Sequence, residues 1–166
     1  MCSSDLDNIL KTSRIIREST GESPVGWLSP MAQPGERTAA LIAEQGYLYH
    51  LDCADDDSPR LLQLGERCIV EVPAAFDVND HQVYARGLNP PSAYVDIFMH
   101  CLDVLLEEGR NGRPRVMSAV FNGNLFGHPL GTWALRECIR YAKGRPGVWI
   151  TTHKAHVEHF LRECRQ

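Results

Sequence analysis

RVMSAVFNGNLFGHP, residues 115–129, is the stretch on which the fold reading turns. Its first part, RVMSAVF (115–121), is a nearly unbroken apolar run of the kind buried on both faces of a parallel sheet. The character then changes: FNGNLFGHP (121–129) is rich in Asn and Gly, which tolerate left-handed backbone. A strand that ends in such a loop is where α/β proteins place their chemistry. Asn122 stands at that end, with an amide that both donates and accepts. Plain turn chemistry is the favoured reading of Asn122 taken alone, and an amide has no useful pKa for acid–base work.

The same arrangement recurs upstream. GESPVGWLSP (21–30), ADDDSP (54–59) and VPAAFDVND (72–80) each follow or flank a short apolar or helical run. Between them the spacing predicts alternating elements. Leu6, Ile9, Leu10, Ile15 and Ile16 recur near helical spacing over 5–18. A short extended piece follows at 24–27, then a helix over 36–45 stopped by Gly46. Strands are predicted at 47–51 and at 67–72, the second ended by Pro73. Ser92 is read as the cap of a long helix through Glu108, with Gly109 after it. A helix over 132–143 stops at Gly144, a last strand covers 147–150, and Thr152 caps a last helix over 153–164. Strand followed by helix, repeated, predicts an α/β fold with parallel pairing and right-handed crossovers. The interruption, residues 52–91, shows one clear strand and four prolines, Pro59, Pro73, Pro90 and Pro91. A connection that long usually forms the rim of a site.

Composition narrows the classes. A chain of 166 residues, 43% hydrophobic and 23% charged, suits one soluble globular domain. A net charge of -4 argues against nucleic acid or an anionic membrane surface as partner. No run approaches a membrane span, and MCSSDLDNIL lacks a signal peptide's basic and apolar regions, so a cytoplasmic protein is expected. The six cysteines form no CxxC pair and are read as reduced thiols used as small hydrophobes.

The clusters offer few chemical sets. Asp55, Asp56 and Asp57 could ligate a hard cation, but their spacing lacks the glycine of a calcium loop, and a solvated turn explains them. Asp77, Asn79 and Asp80 either orient a reacting group and bind a hydroxyl or amide, or end the segment in an Asx-turn; both readings stay open. His153, His156 and His159 recur at a spacing of three rather than the four common in zinc helices, and are read as a solvated face. His128 is read as surface or capping. No GxSxG, GxGxxG or P-loop occurs.

Taken in order, the clusters resemble the polysaccharide deacetylase (NodB-homology) family, in its branch of peptidoglycan deacetylase-like and allantoinase-like proteins. The segment from Thr20 and Gly21 to Pro30 is similar to a family "tG-x-x-P-x-GW-x-sP". Residues 44–52 and 56–59 resemble "eeGYxYxxD…DDxP", and 72–80 resembles in part "lPYtxdxND". Later matches include Glu108, Gly109, Val116, Met117, Gly127, Pro129, Leu135, Tyr141, Gly147, Val148, Trp149 and Thr152.

The resemblance implies a single partial domain over 1–166, the C-terminal part of an irregular (β/α)7 barrel with a parallel sheet and without its N-terminal strands. It implies metal-assisted hydrolysis of an amide, on an N-acetyl sugar or a cyclic amide such as allantoin. The family's Asp near the first strand and its metal-binding His-x-x-x-His segment precede the matched region. The late "LHP" histidine aligns with Asn122, the "PY" reads Pro73 and Ala74, and the late arginine reads Gly131. The resemblance therefore assigns this chain no catalytic residue, no metal ligand and no cofactor, although the family uses a divalent metal such as zinc. The substrate-pocket candidates are Trp27, Asp56, Asp57, Asp77, Asn79, Asp80 and Asn122. The expected ligand is a sugar or cyclic amide, with a homo-oligomer through an exposed sheet edge beside 24–27.

Overall fold

Leu6 and Ile9 fall on one face of a helix, and that face is what the first part of the fold is built on. In a computed structural model, which describes residues 2–74, 77–112 and 115–164, α1 (Cys2–Thr20) packs beside α2 (Thr38–Glu44). The chain divides into two compact units, one of Met1–Cys53, Pro59–Val72 and Thr151–Gln166, the other of Ala54–Ser58 and Pro73–Ile150.

The first unit carries a four-stranded sheet in the order β1 (Gly26–Trp27), β2 (Tyr49–Cys53), β4 (Arg67–Pro73), β3 (Arg60–Leu64). β1 runs parallel to β2, with Trp27 opposite His50. β3 runs antiparallel to β4, with Leu62 opposite Ile69. The sheet is therefore mixed, not parallel as the alternation of elements predicts. The reason is local. Gly65, at φ 64, and Glu66 close a two-residue hairpin inside the stretch read as a long interruption. β3 hides from pattern reading because only Leu62 and Leu64 turn toward apolar neighbours, while Leu61 and Gln63 are exposed on an edge strand. Ile9, Leu41, Ile42, Tyr47 and Ile69 form the core of this unit. Gly46, at φ 85, ends α2 as its position predicts. α6 (His153–Glu163) belongs to the same unit, and Thr152 caps it by accepting the Ala155 N–H at 3.3 Å.

The second unit is helical. α3 (Pro91–Arg110) and α5 (Pro129–Lys143) pack on each other, with α4 (Gly123–Phe126) against α5. Val78, Tyr94, Phe98, Leu102, Phe126, Ala134 and Cys138 fill the core. Tyr94, Phe121 and Phe126 form a ring cluster with centroids 5.1–5.9 Å apart. α3 begins at Pro91 with Pro90 as N-cap, two residues before the expected cap Ser92, because proline suits the first helical position. Gly109 lies inside α3; the left-handed glycine past its end is Gly112, at φ 87. Gly144 stands at the end of α5 with φ -80, so it closes the helix without a left-handed turn.

The two apolar runs expected as strands in this unit are not strands. Residues 115–121 are extended and make a single parallel bridge, Asn79 with Val120. Residues 147–150 do not form a β-strand. An apolar run reports a preference for burial, whereas a strand also needs a neighbour to pair with. Val116 instead donates its N–H to the Asp57 carbonyl (2.8 Å), and Ser118 donates its hydroxyl to the Pro73 carbonyl (2.6 Å). No helix among the described residues is long and apolar enough to cross a membrane.

Candidate functional site

The second unit holds a buried carboxylate with a defined partner. The bridge between Asn79 and Val120 brings two segments side by side: Val120 donates its N–H to Val78 O (2.9 Å) and Asp80 donates its N–H to Val120 O (3.2 Å). Tyr94, at the start of α3, locks the junction by donating its hydroxyl to Val78 O at 2.7 Å. Burial raises the Tyr94 phenol well above its ordinary value, and the nearby Cys138, Asp80 and Cys101 add to this, so it stays a donor. Asp80 is 0% exposed. It accepts the Asn122 backbone N–H at Oδ2 (2.6 Å) and the Asn122 amide at Oδ1 (2.5 Å). A buried carboxylate survives only when so satisfied.

The other candidates are placed as follows. Asn79 Oδ1 accepts the His81 N–H at 3.0 Å, an Asx-turn that opens a wide π-type turn over His81–Arg86. Asp56 Oδ1 accepts the N–H groups of Asp57 (2.7 Å) and Ser58 (3.1 Å) and meets Arg115 Nη1 at 3.2 Å. Asp57 and Asp77 are exposed. Asp77 lines an open groove of about 400 Å³ with Gln82, Val83, Ile97, His100 and Cys101. Burial, then Asp77 and Asp57, push the Cys101 thiol up, which makes it a poor nucleophile. Of the predicted set, Asp80 and Asn122 are brought into direct contact, and Asn79 joins them through the bridge. Ala75 and Phe76, within the cluster 72–80, lie outside the described residues.

The first unit holds a polar network that pattern reading misses. Trp27 is half-buried, set edge-on against Tyr47 at 5.8 Å, and donates Nε1–H to Ser29 Oγ at 3.1 Å. Ser29 gives both its N–H and its hydroxyl to Asp52, each at 2.7 Å. Asp52 donates its N–H to His50 Nδ1 at 3.4 Å, and His50 Nε2 lies 3.4 Å from Glu71 Oε1 without alignment for a hydrogen bond. Arg60 closes the chain on Glu71 at 3.0 Å. Burial lowers the His50 pKa; Glu71 and Asp52 oppose that, and Arg60 adds to it. The available signal was the spacing of His50 and Asp52, two apart on a strand and so on one face.

Two of the three histidines of α6, His153 and His156, are half-buried rather than solvated as expected, while His159 is exposed. His153 lies tilted on the Tyr49 ring, 6.1 Å between centroids. Burial lowers the pKa of His153 and, with its two histidine neighbours adding to the effect, that of His156. His128 is the N-cap residue of α5 and makes no side-chain cap bond. Among the described residues no three His, Cys, Asp or Glu side chains are grouped to hold a metal ion. Asp80 and Asn122 bring together one carboxylate and one amide, fewer donors than the three or four His, Cys or carboxylate ligands that a zinc-like ion takes.

No profile of a known protein family matches the chain. A curated protein of Schizosaccharomyces pombe named as a polysaccharide deacetylase is 27% identical over 90 residues, which is 54% of this chain and 28% of that protein. A crystal structure assigned to a polysaccharide deacetylase of Pseudomonas aeruginosa PAO1 matches 98% of this chain at 30% identity with a TM-score of 0.88. Sequence and structural neighbours point to the polysaccharide deacetylase family. The allantoinase Puue matches 96% of the chain at 30% identity and a TM-score of 0.86. A Mycobacterium smegmatis structure, at 23% identity and a TM-score of 0.88, shows the shared fold. The chain spans 28% of the curated deacetylase and 53–58% of the three solved structures.

Proposed function

We propose that this chain forms part of a polysaccharide deacetylase-type hydrolase, the C-terminal portion of a (β/α)7 barrel, and that the chain by itself does not hydrolyse amides. The observation that carries this reading is the Asp80–Asn122 pair. An Asp beside an imidazole can hold a proton donor in place for a leaving amine. Asp80 here holds an amide that has no proton to give at useful pH. The reaction class, cleavage of a non-peptide C–N bond in an N-acetyl sugar or a cyclic amide, rests on the neighbours. The chemistry a divalent metal supplies to that class is polarisation of the carbonyl and activation of water. No residue described in this chain is given that task. A reducing compartment such as the cytoplasm suits the free thiols Cys53, Cys68, Cys101, Cys138 and Cys164.

The test is an assay on N-acetylated sugars and allantoin with zinc, cobalt or manganese added. The pure chain is expected to give no turnover; metal-dependent turnover overturns the proposal. A second reading, a non-catalytic sugar- or amide-binding module, is favoured by the half-buried indole of Trp27. Shifts of the Trp27 indole or the Asn122 amide signals on titration with N-acetylglucosamine would support it, and a flat titration would remove it.

A further inference from the structure

The chain contains two Asn–Gly dipeptides, Asn111–Gly112 and Asn122–Gly123. This pairing permits an intramolecular reaction. The glycine nitrogen, unhindered by a Cβ, attacks the asparagine Cγ. The new N–Cγ bond closes a succinimide, the Cγ–Nδ2 bond breaks, and the amide nitrogen leaves as ammonia with the proton the glycine nitrogen gives up. Water then opens the ring at either carbonyl, leaving aspartate or isoaspartate.

The two dipeptides meet different surroundings. Asn111 ends α3 in an exposed turn, and its amide makes a 3.3 Å bond to the Glu107 carbonyl. Gly112 has φ 87 and open space about it. Gly123 also has open space, so crowding does not protect the second dipeptide. What differs is Asn122 itself. Its amide and its N–H are both held by the fully buried Asp80, at 2.5 and 2.6 Å. Its carbonyl accepts the N–H groups of Leu125 and Phe126 at 2.9 and 2.8 Å. Bringing Cγ onto the glycine nitrogen requires the carboxamide to leave Asp80.

We infer that Asn122–Gly123 is a conditional deamidation site, closed while Asp80 clasps the Asn122 amide and reactive once that clasp opens, whereas Asn111–Gly112 reacts in the folded chain. The change at position 122 is one-way. It removes the amide donors that face Asp80 and puts a second carboxylate at hydrogen-bond distance from the first. Two such charges repel, and the pair holds together only by sharing a proton. The clasp therefore does not re-form at neutral pH. The inference rests on the geometry of Asn122 and stands whether or not the chain belongs to a hydrolase.

The experiment incubates the full chain in heavy-oxygen water and follows label at both positions by peptide mass mapping. In the folded chain position 122 is expected to label at least roughly tenfold more slowly than 111, the gap set by local opening, and to approach it in urea. D80N is expected to speed labelling at 122 with 111 unchanged. Equal rates at the two positions in the folded chain, or a D80N chain with the parental ratio, would overturn the inference. N122D gives a separate readout that needs no labelling. Its Tm is expected to fall below the parent's near pH 7 and to recover as pH drops toward about 4, where carboxyls take up protons. An N122D chain with the parental Tm at both pH values also counts against it.

Discussion

Asp80 is a buried tie between two segments of the second unit. It is fully buried, and its two oxygens tie the segment at 78–80 to the segment at 120–122. Hydrogen bonds to a charged group contribute about 1.5–3 kcal/mol each, and the two here share one acceptor group. Asp80→Ala is therefore expected to cost roughly 3 kcal/mol, read as a lower urea midpoint. A loss within about 0.5 kcal/mol, typical of surface changes, would show the pair to be incidental. Asn122→His places an imidazole beside that carboxylate. Its proton affinity is expected to rise above the ordinary histidine value of about 6.5, because the neighbouring negative charge favours the charged ring. A proton NMR titration decides it, and a value at or below the ordinary one contradicts the geometry.

His50 behaves in the opposite sense. Burial lowers its pKa below the ordinary 6.5 despite Glu71 and Asp52 nearby. As pH falls, the unfolded chain takes up the proton first. The contribution of neutral His50 to stability is thus complete above the unfolded value and is lost as pH falls through the lower folded value. The His50 ring signals are expected to titrate below 6.5 in the folded chain, whose ordinary value this is. Titration above it would mean that the two carboxylates, not burial, govern the site.

At the scale of elements, caps and turns were the legible part. Gly46 ends α2 in left-handed backbone, and Thr152 caps α6, both where the residue types place them. Thr152→Ala is expected to cost about 1 kcal/mol, seen as faster amide exchange in the first turn of α6. Unchanged exchange would show that packing alone holds that end. Strands were legible less often. β2 and β4 fall within two residues of their predicted bounds, because each has an apolar face and a clear stop. β3 escaped because an edge strand half in water looks like a loop. The run at 115–121 reads as the strongest strand and that at 147–150 as the last, but pairing depends on a neighbour that no local pattern encodes.

For the whole molecule, the sheet order leaves β1 at one end, with no further strand beyond Gly26–Trp27 among the described residues. Open edges recruit strands from other chains. Self-association is therefore expected to rise with concentration, measured by light scattering. A strictly monomeric chain at high concentration would show that the edge is protected. A polypeptide that adds a strand beside β1 is expected to suppress such association, since both compete for the same N–H and C=O groups.

The sequence by itself determined the long helices, the stops at Gly46 and Gly144, the α/β character and the resemblance to deacetylases, because these reside in residue types at fixed local spacing. It also marked Asp80 and Asn122 as members of one candidate set. Only the tertiary structure decided that these two touch, that Ser29, His50, Asp52 and Glu71 form a network, and that the sheet is mixed. Contacts between residues 42 positions apart, as for Asp80 and Asn122, follow from how the chain folds back on itself. Spacing along the chain carries no record of that distance in space.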